Sequence, residues 1–90
     1  MRLDKYLKVS RIIKRRTVAN EACSGGRVSL NGKVAKPGAE VKPGDEMTIR
    51  FGDKLGRYRI LSVAETVRKD AAADMYEILA EDPGMAQERN

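Results

Sequence analysis

The chain contains no histidine, no tryptophan, a single cysteine at Cys23 and only four aromatic residues, Tyr6, Phe51, Tyr58 and Tyr76. Each scarcity removes a chemistry. Without histidine, and with one thiol, a His/Cys zinc site within the chain is excluded. Ser-His-Asp and Cys-His nucleophilic arrangements fall for want of an imidazole. No disulfide can close inside one chain, which fits a reducing compartment, and Cys23 reads as a small buried hydrophobe. Apolar runs reach only three or four residues, far short of the roughly 20 that span a bilayer. Met1-Arg2-Leu3-Asp4-Lys5 leads into no apolar signal core. A cytoplasmic protein without a membrane partner is expected.

Charge, by contrast, is abundant and uneven. Over 90 residues the net charge is +5. Residues 1–16 hold seven basic side chains against Asp4 alone, residues 17–42 four against two, and residues 43–90 seven against ten. The first half is a cationic unit, and the second is mildly anionic. Such asymmetry points to a polyanion held by the first half.

The pattern of apolar residues predicts one small α+β domain over residues 1–82, with 83–90 expected to be a disordered tail. Leu3, Tyr6, Leu7 and Ile13 follow helical spacing, with Val9 and Ile12 off that stripe, giving a short helix near 3–9 and a turn at Ser10. A second helix capped by Thr17 would bury Ala19, Ala22 and Cys23 and stop at Ser24-Gly25-Gly26. Asn31-Gly32, between Arg27–Leu30 and Lys33–Ala35, is a hairpin signal. Pro43-Gly44 reads as the centre of a type II turn. Met47, Ile49 and Phe51 alternate inward along a strand. A turn at Gly52-Asp53 leads to another strand over 57–63. Ala72, Met75, Tyr76 and Leu79 suggest a helix over 69–80 that covers the sheet, stopped at Pro83-Gly84.

Catalytic and nucleotide motifs do not survive inspection. Five residues separate Gly26 from Gly32, and Val34 stands where a phosphate loop needs Ser or Thr. No pair of carboxylates suggests acid–base work, so neither enzymatic activity nor a cofactor is expected. A helix-turn-helix would need base-reading side chains on its second helix. Residues 18–23 offer only Asn20, and Glu21 would repel phosphate. With few aromatics for stacking, the cationic half suits folded RNA recognised through its backbone.

Arg2-Leu3-Asp4-Lys5, Thr17 through Gly26, and Arg27-Val28-Ser29-Leu30-Asn31-Gly32-Lys33-Val34 resemble the RNA-binding domain of ribosomal small-subunit protein S-four, the alpha-L motif. The likeness runs through Val41-Lys42-Pro43-Gly44-Asp45, about the first fifty residues. Leu7-Lys8-Val9-Ser10-Arg11, Ile13-Lys14-Arg15-Arg16-Thr17, Arg50-Phe51-Gly52 and Met75-Tyr76-Glu77-Ile78-Leu79 extend it. They are similar to the short ribosome quality-control members of the group related to heat-shock protein fifteen. The resemblance implies two helices packed on a hairpin, followed by antiparallel strands and a short C-terminal helix. It also implies binding to obstructed large (50S) subunits, with 23S rRNA and peptidyl-tRNA as partners. A further implied partner is a protein that adds alanine to stalled chains without mRNA. A subunit-recycling factor like heat-shock protein fifteen, or a protein adaptor with an acidic partner, remains open; the short acidic end argues against the former.

The expected RNA-binding residues are Arg2, Lys5, Lys8, Arg11, Lys14, Arg15 and Arg16, joined by Arg27 and Lys33 on the hairpin. Arg15 and Arg16 would present two guanidinium forks at the helix junction. The N-terminus of the first helix would favour an anion beside Arg2. Lys36 and Lys42 read as solvated, and Arg50, Arg57 and Arg59 as contacts to tRNA or to nothing. A monomer is expected.

Overall fold

In the computed structural model, which describes residues 1–83, the elements are α1 (Leu3–Val9), α2 (Arg16–Ser24), β1 (Val28–Leu30), β2 (Lys33–Val34), β3 (Glu46–Phe51), β4 (Lys54–Ile60), a 3-10 turn (Lys69–Met75) and β5 (Tyr76–Glu81). The five strands form one antiparallel sheet in the order β2-β1-β3-β4-β5. Of the tail expected over 83–90, residues 84–90 lie outside the described residues.

α1 buries Leu3, Tyr6 and Leu7, spaced as one helical stripe. Val9, Ile12 and Ile13 are buried too, so Val9 and Ile12 are not off the core. The reason is Arg11, whose φ of +62° reverses the chain after α1 and turns Ile12 and Ile13 back inward. α2 presents Ala19, Ala22 and Cys23 as its buried side; these small side chains let the two helices pack closely. Its start differs from expectation. Arg15 occupies the N-cap position with no side-chain cap, and Thr17 lies exposed within the first turn.

The hairpin follows its sequence signal. Leu30 pairs with Lys33, and Asn31 and Gly32 carry φ of +51° and +86°, as a two-residue primed turn requires. Asn31 also ties the turn to β3: its Oδ1 accepts from the Glu46 N–H at 3.0 Å, and its Nδ2 donates to Asp45 at 3.2 Å. At Lys42–Asp45 the Asp45 N–H donates to the Lys42 carbonyl at 3.1 Å, with Gly44 at φ +96°, matching a type II turn.

Met47 and Ile49 of β3 and Tyr58 and Ile60 of β4 face the core, whereas Phe51 is only half-buried. The strand expected over 57–63 is displaced: β4 runs Lys54–Ile60, and Leu61, Ser62 and Val63 lie beyond it, exposed. The helix expected over 69–80 is the largest correction. Only Lys69–Met75 is helical, as a 3-10 turn, and Tyr76–Glu81 is the strand β5, paired to β4 with a register shift between Arg57 and Tyr58. Pairing β4 on its second side satisfies a row of backbone groups that a covering helix would leave open. The Tyr6 hydroxyl donates to the Met75 carbonyl at 2.8 Å, and that carbonyl also accepts from Leu61 and Ser62. One buried oxygen thereby locks α1 to the C-terminal segment within a common core.

Candidate nucleic-acid interface

The start of α1 is sealed by its own chain. The Leu3 and Asp4 N–H groups donate to the Ala39 and Pro37 carbonyls at 2.8 and 3.1 Å, and the Lys5 N–H to the Asp4 carboxylate at 2.8 Å. The Met1 amino group pairs with Glu40. The expected anion site at this helix end is therefore filled, with Asp4 as the anion.

Asp4 is 2% exposed and gathers three side chains, one from the residue that precedes α1 and two from α2. Arg2 donates to it at 3.2 and 3.3 Å, Asn20 at 3.3 Å, and the Arg16 guanidinium lies 3.5 Å away. Burial pushes the Asp4 carboxyl up, but the hydrogen bonds from Asn20, Arg2 and the Lys5 N–H, with the Arg16 charge, outweigh it and hold the pKa below the usual value. Arg2 and Arg16, about half exposed, are fixed by this carboxylate with donors left over for an outside anion. Asn20 serves Asp4 here. Cys23, buried, has its thiol pushed up to about 11 by desolvation and by the Asp4 charge, so it stays protonated at neutral pH.

The other sequence-predicted residues fall into separate groups. Lys5 is half-buried and pairs with Glu65. Lys8, Arg11, Lys14 and Arg15 are exposed, and among the described residues none forms an ion pair. Lys8 and Arg11 line one groove and Arg11 and Lys14 its neighbour. Arg27 lies before β1 in a third groove with Ser29, Thr48 and Arg50 on the outer face of the sheet, which none of the other expected cations lines. Lys33 is exposed on the edge strand β2. Arg57 and Arg59 are tied to Glu46 and Glu77.

Two residues of this cluster were missed from sequence, Asp4 and Asn20 as organisers of Arg2 and Arg16, and Arg50, read from sequence as a contact to tRNA or to nothing, lines the groove beside Arg27. Arg2 and Asp4 sit close enough in the chain to suggest a pair. The contacts from Arg16 and Asn20 arise only when α2 docks on α1.

The S4 domain family model matches residues 1–47. The RQC P-site tRNA stabilizing factor of Halalkalibacterium halodurans is 59% identical over 92% of this chain and 94% of that protein. The factor of the same name from Bacillus subtilis is 55% identical over 91% and 95%. Among solved structures, a trimeric structure of Vibrio cholerae Heat Shock Protein 15 superposes with a TM-score of 0.79 at 31% identity, covering 99% of this chain and 88% of that one. The sealed helix pair, the Asn-Gly hairpin and near full-length identity of this order place the chain in the S4-domain family, among the RQC P-site tRNA stabilizing factors.

Proposed function

We propose that this protein is a non-enzymatic RNA-binding factor of ribosome quality control. It binds large ribosomal subunits obstructed by a nascent chain, contacts 23S rRNA and the peptidyl-site tRNA, and steadies that tRNA while a partner protein adds alanine to the stalled chain. The observation that carries the reading is the run of exposed cations Lys8, Arg11, Lys14 and Arg15, without an ion-pair partner among the described residues, beside the Asp4-held Arg2 and Arg16, on a chain whose relatives bear the name P-site tRNA stabilizing factor. Arginine forks held by a buried carboxylate keep one geometry, as recognition of phosphate in a fixed array requires. Arg27 and Arg50, across the sheet, supply a second contact to the RNA. The work is positioning, in the bacterial cytoplasm, by a monomer with no cofactor.

The test is a pull-down of tagged protein from cells, divided into nuclease-treated and untreated halves. Large subunits free of small subunits and carrying peptidyl-tRNA are expected in the untreated half only. A nuclease-resistant protein partner without rRNA would overturn the reading in favour of an adaptor. Large subunits without peptidyl-tRNA would favour a recycling role like that of the heat-shock-protein-fifteen group.

A further inference from the structure

Arg11 and Lys14 do not stand on an open face. With Lys69, Ala72, Ala73 and Tyr76 they surround a solvent-open cavity of about 260 Å³. Lys69 belongs to the 3-10 turn, beyond the residues that match the S4 model. Among the described residues none of the three cations has an acidic partner, and Asp70 and Asp74 on the same turn do not line the groove. Arg11 sits at φ +62°, a conformation that glycine adopts freely and that a bulky side chain adopts at a cost. An arginine there points to a use for its charge. Tyr76 is half-buried, and its ring is held edge-to-face against Tyr58, centroids 5.7 Å apart at 87°, so it needs no ordering to meet a ligand. The volume lies just under the roughly 300–1,000 Å³ of small-molecule pockets. It has room for one nucleotide and none for a duplex.

We propose that this groove seats one unpaired nucleotide of RNA, its phosphate among Arg11, Lys14 and Lys69 and its base against Tyr76 and the Ala72–Ala73 floor. The site rests on the RNA-binding reading and extends it, because it makes the C-terminal segment part of the interface. Three cations around one pocket fit a phosphate, and an aromatic ring beside small side chains fits a flat base in any sequence. A paired base, stacked on both faces, cannot enter.

The experiment is an NMR titration of the full chain with a four-residue oligoadenylate, a blunt RNA duplex and 5′-AMP. The oligoadenylate is expected to shift the amides of Ser10, Lys14, Lys69 and Tyr76, the duplex to leave them in place, and AMP to bind more weakly than the oligomer. Lys69→Gln is expected to weaken oligoadenylate binding about three- to tenfold at low salt and to flatten its log–log salt slope by about 0.7, the loss of one single-strand phosphate contact. Duplex binding should not change. Arg11→Gly, which relieves the left-handed backbone, is expected to melt no lower than the natural protein yet bind the oligomer more weakly by a similar factor. Shifts confined to α2 and the hairpin, with unchanged affinity in both variants, would overturn the groove and leave the RNA-binding reading standing. Binding of AMP as tight as that of the oligomer would overturn it in favour of a free-nucleotide site. If neither RNA binds, the groove falls together with the reading beneath it.

Discussion

Asp4 is the one carboxylate in a segment of seven cations, and it is buried. An unpaired buried charge would cost several kcal/mol; here four donors surround it. Removing the charge while keeping the shape separates its electrostatic part from its packing. Because the folded pKa lies below the ordinary Asp value of 3.8, the ionised form stabilises the fold above that pH, and the gain is lost as pH falls through the lower folded value. Asp4→Asn is expected to destabilise the protein at pH 7 by about 1–2 kcal/mol, discounted for the half-exposed Arg2 and Arg16. The difference should shrink below pH 3.8. Equal melting differences at pH 7 and pH 3 would show that the charge contributes nothing. The same carboxylate explains why Arg16 is a poor probe of RNA contact: replacing it disturbs Asp4, whereas Lys14 and Arg15 stand clear.

Elements announced by local chemistry were legible, and those decided by tertiary pairing were not. Asn31-Gly32 fixes a hairpin because both residues accept positive φ, and Pro43-Gly44 fixes its turn by a different pairing, the proline ring holding a negative φ and Gly44 supplying the positive one. No Cβ at Gly32 would meet an atom within 4 Å, so the cost of Gly32→Ala is conformational. It is expected to lower stability by about 1 kcal/mol, read as a fall in urea midpoint with an unchanged slope. No loss would mean the turn relaxes to another type. The Ala71–Ala73 run reads as helix on propensity, yet the chain leaves it for β5. Glu77, Ile78 and Ala80 of β5 are all exposed, which gives little alternation to announce a strand, while the free edge of β4 supplies the partner. The start of α2 was misplaced for a related reason: its first turn is anchored by what α1 offers, Asp4, and not by Thr17. Among the expected site residues, their positions in the chain were legible from charge density. Their division into an Asp4-held pair, a groove-lining set and the distant Arg27 was not, since it depends on how α2, the sheet and the 3-10 turn dock.

At the scale of the whole molecule, the sheet separates two cationic regions, Arg2 through Arg16 on the helical side and Arg27 with Arg50 on the outer face. On that outer face Glu46 and Glu77 pair with Arg57 and Arg59. A partner that meets both regions must be large and anionic. Among the described residues no helix is long and apolar enough to cross a membrane, and the charge pattern calls for phosphate. Electrostatic binding of this kind leaves a salt signature. The most direct measurement is the affinity of the protein for purified large subunits carrying peptidyl-tRNA, taken across a range of monovalent salt with magnesium held constant. About five phosphate contacts give a log–log slope of about −3.5 to −4.5, and the Lys14→Glu, Arg15→Glu pair is expected to flatten it by about 1.5 while leaving the melting temperature in place. A flat salt dependence, or a double variant that binds with the natural slope and affinity, would contradict the assignment of this cationic face to ribosomal RNA.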